Sequence, residues 1–546
     1  MQGFTTQLDA FLYWEKKIPD AIFLNQPMGD RNITYTFAQA GNEARKIAKA
    51  IKEHNFPPRS HIALLSKNCA HWHMSDLAIM MSGHVSIPLY PTLTADTIHQ
   101  ILVHSEAKLI IAGKLDDYEG QRKGFTDVPQ ICVGIYDTPG GTKWEDIIKS
   151  DKILEEIYVQ DPEDLYTIIY TSGTTGNPKG VMHTVGNFMA TVYGLNSIFD
   201  VKDNCRVFSY LPIAHVAERI LENLSFIFGT SVYFPESLIT FAADLEKAQP
   251  NIFFAVPRIW SKFQEKILEK LPQKKLSLLL SIPFINSIIR KKLQEKLGLR
   301  QAEFILTGAA PIDSSLLAWY KSIGIEILQV YGMTEDGCIS HCNVSGANKL
   351  GTVGKSLPGV KIKFSQEGEI KIHNNCLMKG YYKEDALTDS VFDGEGYLST
   401  GDIGEYDHEG FLTITGRVKD QFKTDKGKYI SPAPIELKLS QNTDIGQICI
   451  VGTGIPQPIA LITLSDIGRN KSKANLSAQL IETMNKINPG LEKHEKIQKI
   501  VVMKEDWDLN NGLITPTLKV KRNKIEKIHQ PYYRTWFNNE EIVIYE

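Results

Sequence analysis

The order of apolar and polar residues in the N-terminal part of the chain predicts a succession of helices and strands. Residues 37–56 carry apolar side chains at helical spacing, whereas 61–65 and 109–112 are short apolar runs typical of buried strands. Further strand-like runs, separated by helical stretches, lie at 206–211, 231–234, 252–255, 304–306 and 325–328. This succession predicts α/β units with mostly parallel sheets.

The pattern changes from about residue 351. Short alternating segments with tight turns, such as 406–411, predict a small β-barrel or curled sheet. Residues 421–546 have mixed α and β character and are numerous enough for a separate domain. The predicted fold class is therefore α/β: a large N-terminal domain (1–416) of α/β subdomains plus a small β-barrel, a hinge at 417–420, and a small mobile α+β C-terminal domain (421–546).

One apolar segment stands out from this pattern. Residues 276–289 contain Pro283 and are flanked on both sides by lysine or arginine. The segment is too short to cross a bilayer, since a span takes roughly 20 apolar residues. Two alternatives remain: a buried helical hairpin, or a segment that lies at a membrane surface and helps to collect a lipid substrate.

Composition adds limits to this picture. The chain has 546 residues, 42% hydrophobic and 23% charged, which is typical of a globular protein with two or more domains. A net charge of -3 provides no general basic field, so nucleic acid is not an expected partner. No secretory signal is predicted at the N-terminus, and the scattered cysteines suit a reducing compartment, so we expect a cytoplasmic protein, with membrane association left open.

A glycine- and hydroxyl-rich run at 171–180 follows a predicted strand at 165–170. Its glycines allow close backbone approach, its amides and hydroxyls donate to phosphate oxygens, and its lysine adds a charge. The lysine follows a proline, so the run is not the P-loop of ordinary ATPases and GTPases. We predict a polyphosphate-binding loop, the alternative being a mobile surface loop. The candidate residues are Thr171, Ser172, Gly173, Thr174, Thr175, Gly176 and Lys179.

With Tyr170 before it and His183 closely after it, this run resembles the signature of the adenylate-forming (AMP-binding) superfamily, which includes acyl-CoA synthetases, luciferases and peptide-synthetase adenylation domains. Two later segments, 211–219 and 256–260, resemble the corresponding segments of long-chain acyl-CoA synthetases. The resemblance spans nearly the whole chain, and its further motifs follow in the family's order at 211–219, 256–260, 307–311, 329–335, 399–404, 416–420 and 513–522.

The resemblance implies an ATP site. Thr334 would donate to the α-phosphate, and Glu335 would hold Mg²⁺, a role that Thr171 would share. Asp402 would accept hydrogen bonds from both ribose hydroxyls, with Arg417 reaching the same ribose across a predicted hairpin. Adenine would stack on Tyr331 and slide against small residues. The remaining implied ATP-binding residues are Gly308, Ala309, Ala310, Gln329, Val330, Gly332, Lys419 and Lys423.

The resemblance also implies catalytic and acyl-binding residues. Lys519 aligns with the lysine that the family uses for adenylation, where a cation bridges the acyl carboxylate and the α-phosphate. Lys521 is the neighbour most easily mistaken for it. His215 would border the carboxylate and the thiol entry path. Trp260 is either a tunnel or gate residue for the acyl chain or a core residue. The expected catalytic residues are Lys519, Glu335, His215 and Thr334.

The expected reaction is ATP-dependent activation of a long-chain fatty acid to acyl-AMP and pyrophosphate, followed by transfer of the acyl group to coenzyme A. The implied partners are fatty acid, ATP and coenzyme A, with Mg²⁺ as cofactor and peripheral membrane contact left open. One alternative is a fatty acyl-AMP ligase or acyl-carrier-protein synthetase. Another is a non-catalytic homologue that binds lipid or nucleotide. Both a monomer and a homodimer are compatible with the sequence.

Overall fold

The computed structural model describes residues 3–172, 178–508, 511–515 and 519–546. Helices and strands alternate through most of these ranges. The helices are α1 (Gln7–Lys17), α2 (Phe37–Glu53), α3 (Ala70–Met81), α4 (Ala95–Ser105), α5 (Tyr118–Gln121), α6 (Trp144–Lys149), α7 (Val185–Phe199), α8 (Val216–Phe228), α9 (Phe241–Ala248), α10 (Pro257–Lys270), α11 (Gln273–Ser281), α12 (Ile285–Lys296), α13 (Ser314–Ser322), α14 (Asp385–Val391), α15 (Pro432–Leu439), α16 (Asp466–Arg469), α17 (Lys473–Ile487), α18 (Arg522–His529) and α19 (Tyr533–Phe537).

The strands belong to several sheets that follow one another along the chain. They are β1 (Ile22–Met28), β2 (Arg31–Thr36), β3 (His61–Leu65), β4 (Val85–Leu89), β5 (Leu109–Ala112), β6 (Gln130–Cys132), β7 (Thr142–Lys143), β8 (Leu165–Ser172), β9 (Pro178–Thr184), β10 (Arg206–Phe208), β11 (Ser231–Tyr233), β12 (Ile252–Ala255), β13 (Phe304–Thr307), β14 (Leu328–Tyr331), β15 (His341–Cys342), β16 (Lys355–Ser356), β17 (Lys361–Phe364), β18 (Glu369–His373), β19 (Gly380–Tyr381), β20 (Leu398–Tyr406), β21 (Leu412–Arg417), β22 (Phe422–Lys423), β23 (Tyr429–Ile430), β24 (Ile445–Val451), β25 (Ile459–Leu464), β26 (Lys499–Val502) and β27 (Val543–Tyr545).

Two large sheets form the N-terminal part of the molecule, and most of their strands are parallel, as the sequence predicted. One has the order β16-β15-β14-β13-β12-β10-β11-β1-β2 and the other the order β19-β9-β8-β4-β3-β5-β6-β7. Parallel neighbours need crossover helices, and these cover the faces of the sheets. The predicted strands at 61–65, 109–112 and 252–255 have the predicted bounds.

One predicted strand lies at the wrong place. The apolar run 325–328 was expected to form it, but the strand β14 begins only at Leu328 and continues to Tyr331. The left-handed Gly324 ends the preceding turn, and regular pairing with β13 starts at Leu328 opposite Leu306. Ile325 and Ile327 are buried beside this entry, so their apolar character reflects packing rather than strand pairing.

The nine-stranded sheet separates two hydrophobic cores. Successive residues of a strand point to opposite faces of the sheet. In β12, Ile252 and Phe254 therefore join the larger core, whereas Phe253 and Ala255 join a second core under α10 and α13. The assignment of a side chain to one face or the other becomes important for the acyl site below.

The expected small β-barrel is not confirmed. Strands β17, β18, β20 and β21 form an antiparallel sheet in that order, and its edge strands β17 and β21 are not paired with each other. The predicted hairpin around residues 406–411 is present as the connection between β20 and β21. This sheet contributes Asp402 and Arg417 to the site described below.

The C-terminal residues form a separate layer around the sheet β24-β25-β26-β27, which mixes antiparallel and parallel pairs. Leu439 of α15 and Leu480 of α17 are buried on one face, and Ile525 of α18 is buried on the other. One contact with the large N-terminal part is the hydrogen bond from Gln441 Nε2 to Asp313 Oδ2, 2.8 Å. Throughout the described ranges, every helix is too short or too polar to cross a bilayer.

Candidate active site

The predicted phosphate loop connects two antiparallel strands. Thr171 near the end of β8 lies opposite Lys179 near the start of β9, so the two residues lie on either side of the predicted loop. The Lys179 ammonium lies 5.6 Å from the ring centroid of Tyr381 in β19, which pairs with β9. The side chain of Ser172 and the predicted contacts Gly173, Thr174, Thr175 and Gly176 lie outside the described residues.

Glu335 stands on the one-turn helix Thr334–Asp336 that follows β14. The Tyr381 hydroxyl donates to its Oε1 at 2.9 Å, and the amide of Met378 donates to its carbonyl at 2.8 Å. Burial raises the pKa of Glu335, whereas the Tyr381 hydrogen bond and the nearby Arg417 and Lys179 charges oppose that rise. The Tyr381 hydroxyl thus orients the Glu335 carboxylate through Oε1.

His183 holds the carbonyl of the neighbouring Thr334. Its Nε2 lies 2.7 Å from that oxygen, and because burial lowers the pKa of His183 to about 4, the ring is neutral with the proton on Nε2. Asp336 accepts the amides of Met333 and Cys338 at 2.9 and 3.1 Å. Burial raises the pKa of Asp336 to about 7. The turn bearing Thr334 and Glu335 is therefore fixed on both sides.

Tyr381 and His183 were not assigned a role from the sequence. His183 is part of the signature itself, whereas Tyr381 lies in none of the motifs used. Both reach Glu335 and Thr334 because β9 and β19 pair with each other beside the end of β14. Their position depends on contacts between residues that are far apart in the sequence, which no local pattern predicts.

Asp402 and Arg417 are brought together by strand register. They are direct partners in the β20–β21 hairpin, and Arg417 Nε donates to Asp402 Oδ1 at 2.5 Å. The Tyr331 hydroxyl donates to the other oxygen, Oδ2, at 2.8 Å. An acceptor with two oriented oxygens, next to a guanidinium, suits recognition of a polar hydroxyl pair. The ribose-binding role of Asp402 and Arg417 stays a prediction.

The small residues predicted to face adenine lie at the ends of β13 and β14. Ala309 has φ of 65°, a conformation that few residues other than glycine adopt. A Cβ on Gly308 would lie 2.7 Å from Val330 Cγ2, and one on Gly332 would lie 1.9 Å from the Cys338 carbonyl oxygen. Gly308 therefore allows the end of β13 to approach β14 closely, and Gly332 allows the end of β14 to approach the backbone of Cys338.

The remaining members of this group adjoin the same strand ends. Ala310 follows β13 directly after Ala309, and Gln329 lies in β14, where it pairs with Thr307 of β13. Val330 in β14 is buried. The predicted adenine site is thus a continuous strip of backbone, although the contact with adenine itself stays a prediction.

Lys519 lies where the C-terminal domain faces this site. Burial lowers the pKa of Lys519, the positive charge of Arg417 adds to that effect, and Asp402 opposes it. Lys519 is nevertheless exposed, so it lies in a crowded cleft that is open to water. Lys521 instead lies near Lys524.

Lys419 lies in the predicted hinge at 417–420, and Lys423 lies just after it. Lys419 lies in the one-turn helix Val418–Asp420, directly after Arg417. Lys423 points its ammonium at Tyr429, 5.5 Å from the ring centroid, within the β22–β23 hairpin. Contacts of Lys419 and Lys423 with ATP stay predictions.

His215 caps α8, a helix that lines an apolar cavity. Its Nδ1 accepts the amide of Ala217 at 3.2 Å at the N-terminus of α8. Burial, with a contribution from the charge of Lys519, lowers the pKa of His215 to about 4. His215 is therefore a neutral imidazole at the start of α8, where the acyl carboxylate is predicted to bind.

A narrow apolar cavity of about 40 Å³ runs alongside α8. Its walls come from α7, α8, β12 and β13 and from two residues after the Glu335 turn, so it begins near the predicted reaction centre. The lining residues are Leu195, Phe199, Val201, Ala217, Ile220, Leu221, Leu224, Ile252, Phe254, Phe304, Leu306, Cys338 and Ile339. The cavity is only a few times the roughly 10–15 Å³ that one water molecule requires, so an acyl chain would have to displace some of these side chains to enter.

Trp260 does not line this cavity. It is fully buried in the second core, on the opposite face of the nine-stranded sheet, where its Nε1 donates to the Ala255 carbonyl at 3.2 Å. Its ring packs edge-on against Phe253 and Tyr320, with centroids 5.6 and 5.2 Å away. This environment is that of a core residue, and an acyl-binding role for Trp260 stays an untested prediction.

Comparison with known proteins shows which families of proteins the chain matches. Residues 11–382 match the model of the AMP-binding enzyme family, and residues 419–533 match that of the AMP-binding enzyme C-terminal domain. Long-chain-fatty-acid–CoA ligase 5 of Rattus norvegicus is 28% identical, over 93% of this chain and 84% of that protein. Long-chain-fatty-acid–CoA ligase FadD15 of Mycobacterium tuberculosis is 25% identical, over 96% of both.

Solved structures share the fold. O-succinylbenzoate CoA synthetase of Bacillus subtilis, in complex with its acyl-adenylate intermediate, superposes with a TM-score of 0.75 at 21% identity, over 95% of this chain and 97% of that one. At that identity the likeness establishes the fold of both the large N-terminal and the small C-terminal part.

Proposed function

The chain belongs to the AMP-binding enzyme family, and from that premise we propose that it ligates a long-chain fatty acid to coenzyme A in two steps. In the first, a carboxylate oxygen attacks the α-phosphorus of ATP and pyrophosphate leaves. In the second, the thiol of coenzyme A attacks the acyl carbon and AMP leaves. The observation that carries the proposal is that Lys519 lies close enough to three predicted site residues to interact with them electrostatically. The charges of Arg417 and Asp402 affect the pKa of Lys519, and the charge of Lys519 contributes to the lowered pKa of His215.

The first step needs positioning and charge stabilisation rather than a protein nucleophile. Asp402 and Arg417 would orient the ribose, and Lys179 would bind the phosphates that leave. Lys519 would reduce the repulsion between the carboxylate and the α-phosphate. The neutral His215 would border the carboxylate without adding a second charge.

The residues of the site could hold Mg²⁺ with a single protein carboxylate. Glu335 offers one oriented carboxylate, with Thr171 near it by resemblance, and Mg²⁺ takes most of its ligands from phosphates and water. Within the described residues no group of three or more His, Cys, Asp or Glu side chains forms a dedicated metal site. When bound, the ion would neutralise phosphate charge at the α-phosphate.

The second step would require the small C-terminal domain (421–546) to turn about the hinge at 417–420, so that Lys519 leaves and the thiol path beside His215 opens. A hinge needs only a few residues at the end of an element to absorb the rotation. The one-turn helix Val418–Asp420, which directly follows β21, supports this assignment.

Three measurements test the proposed function. Pyrophosphate exchange into ATP that depends on added carboxylic acid would support adenylation, and its absence would favour a non-catalytic homologue. Acyl-CoA detected by mass spectrometry after addition of coenzyme A would support ligation. Adenylate formation without thioester would instead indicate an acyl-AMP ligase or a carrier-protein acceptor. A panel of acids from acetate to long-chain fatty acids would test the chain length, which so far rests on the names of the relatives.

Filling the apolar cavity is expected to change chain-length preference. The Ala217→Leu variant adds bulk where α8 meets the cavity. We expect KM for long-chain acids to rise about tenfold, while kcat/KM for short acids stays within about threefold, since lost apolar contact is worth roughly 1–3 kcal/mol. Trp260→Phe on the other face of the sheet is the comparison. A larger change in preference for Trp260→Phe than for Ala217→Leu would move the acyl site to the second core.

Removing the Tyr381 hydroxyl is expected to disturb Glu335. In Tyr381→Phe the ring that faces Lys179 remains, but the hydrogen bond to Glu335 is lost, and a bond to a charged group contributes about 1.5–3 kcal/mol. That hydrogen bond lowers the pKa of Glu335, so its loss raises this pKa. We expect the adenylation rate to fall about tenfold, and the acidic limb of its pH profile to move to higher pH.

Tyr382→Phe provides the matched control, because the neighbouring hydroxyl bonds to exposed Glu106 at 3.2 Å. The pH profile should be unchanged in this variant. An acidic limb that stays in place in Tyr381→Phe would show that Tyr381 does not act through Glu335.

A further inference from the structure

The α11–α12 hairpin carries an exposed apolar tip. The sequence left open a buried hairpin or a surface segment, and the structure contains a hairpin in which Leu276 is the buried residue of the two helices. Phe284 at the turn is 87% exposed and Ile288 on α12 is 63% exposed. The other large apolar residues exposed on this hairpin are Leu278, Ile282 and Ile285.

The turn presents Phe284 in a strained conformation. Phe284 has φ of 66° and ψ of -43°, and the amide of Ile285 donates to the carbonyl of Pro283 at 2.8 Å. This is a γ-turn with positive φ, which is rare and strained for a bulky residue. Strain of this kind persists at sites where the surrounding structure maintains it, and such sites are often functional.

Basic side chains surround the apolar tip. Between residues 270 and 294 the sequence has six lysines and arginines and no acidic residue, although the whole chain has a net charge of -3. Within the described residues none of the exposed Lys274, Lys275, Lys291 and Lys292 forms an ion pair. Their charges therefore remain available to an external anionic surface.

The inner side of the hairpin is occupied by protein contacts. Ile289 and Leu293 pack against the second core, and Arg290 donates to the Ser322 carbonyl at 3.1 Å. Gln294 donates to the Gly324 carbonyl at 2.7 Å. The hairpin is thus anchored along α13 and projects its apolar turn outward on a fixed base.

We propose that the α11–α12 hairpin docks the protein on an anionic lipid surface. Phe284, Ile288 and Leu278 would enter the boundary between headgroups and acyl chains, and the flanking lysines would contact lipid phosphates. A lipid surface fits better than a folded protein partner, because the exposed tip offers apolar side chains ringed by flexible cations and no groove. The proposal is independent of the reaction proposed above.

Flotation with vesicles tests this docking. The full chain should float with vesicles of phosphatidylcholine plus phosphatidylglycerol, and at least fivefold less with phosphatidylcholine alone or at high salt, because screening weakens surface charge interactions. The F284G/I288S variant removes the apolar tip while glycine accepts the positive φ, so folding should be preserved. We expect it to lose at least tenfold in vesicle binding, and K291E/K292E to lose about as much.

Val159→Ser is the matched control, since Val159 is 83% exposed but lies outside the hairpin. It should bind vesicles like the unmodified protein, and melting temperatures of all variants should agree within a few degrees. Unchanged flotation of F284G/I288S, or no flotation of the unmodified protein, would overturn the proposal. A dimer in sedimentation that F284G/I288S converts to monomer, without vesicle binding, would instead assign the hairpin to self-association.

Discussion

Replacing Lys519 with alanine is expected to lower the rate of acyl-adenylate formation by about 10²- to 10³-fold, the range seen when one preorganised charge-stabilising group is removed. The charges of Arg417 and Asp402 affect the pKa of Lys519, and the charge of Lys519 contributes to the lowered pKa of His215. If it bridges the carboxylate and the α-phosphate, its loss affects the transition state more than the binding of ATP. kcat should therefore fall while KM for ATP changes little.

Measuring the second half-reaction shows whether Lys519→Ala affects adenylation specifically or damages the protein in general. With synthetic acyl-AMP supplied, Lys519→Ala should form acyl-CoA at a rate within a few fold of the unmodified protein, because the lysine is proposed to leave the site before the thiol attacks. Pyrophosphate exchange and thioester formation measured on the same preparation give this comparison. Equal loss in both assays would show that the substitution damages the fold or the binding of nucleotide.

Lys521→Ala is the matched control that tests whether the motif has been aligned to the correct lysine. Lys521 is two residues away, and its pKa is lowered by burial and by the charge of Lys524 rather than by a group of the proposed site. Its replacement should leave adenylation within about threefold, as is usual for surface substitutions. A larger effect for Lys521→Ala than for Lys519→Ala would show that the motif has been assigned to the wrong lysine.

Local spacing accounts for the part of the site that could be predicted. Asp402 and Arg417 are fifteen positions apart, and a hairpin between them was predicted from the turn at 406–411. The structure pairs these two residues directly across β20 and β21. A two-residue period and a tight turn bring the two strands together, but the register shifts by one residue between Ile403 and Gly404. The direct pairing of Asp402 with Arg417 also depends on this irregularity, which the sequence pattern does not predict.

The features of the site that could not be predicted depend on contacts between residues that are far apart in the sequence. Tyr381 reaches Glu335 only because the two-residue strand β19 pairs with β9, about two hundred positions earlier in the chain. The same limit applies to Trp260, since the periodicity of its segment indicates a buried position but does not indicate which face of the sheet covers it. Packing against Phe253 places it away from the apolar cavity.

The helix that carries His215 and lines the cavity is itself held by a buried charge cluster. Arg219 in α8 is fully buried, with Nη1 2.9 Å from Asp76 Oδ2 in α3 and 2.5 Å from Glu222 Oε2. The Tyr166 hydroxyl also donates to Asp76 at 2.9 Å, and the Arg219 guanidinium lies 4.6 Å from the Tyr166 ring centroid. These contacts join β8, α3 and α8 behind the proposed site.

Removing the single cation of this cluster is expected to destabilise the N-terminal domain by about 3–5 kcal/mol, because Arg219→Met leaves two buried carboxylates without a counter-charge. A melting temperature lower by several degrees, measured by calorimetry, would show it. A triple variant R219M/D76N/E222Q should recover most of the loss, since it replaces the charges with neutral groups of similar shape. Failure of this recovery would mean that the loss comes from packing of the arginine side chain.

The loss of folding stability in Arg219→Met should depend on pH in a defined direction. Burial already raises the pKa of Glu222 well above its ordinary range, and removing the Arg219 charge, which opposes that rise, raises it further. A carboxyl whose pKa is higher in the folded state than in the unfolded state favours folding at low pH and disfavours it as pH rises. The difference in melting temperature between Arg219→Met and the unmodified protein should therefore be larger at pH 8 than at pH 6. A difference that is independent of pH would contradict the assignment of the loss to buried, unpaired carboxylates.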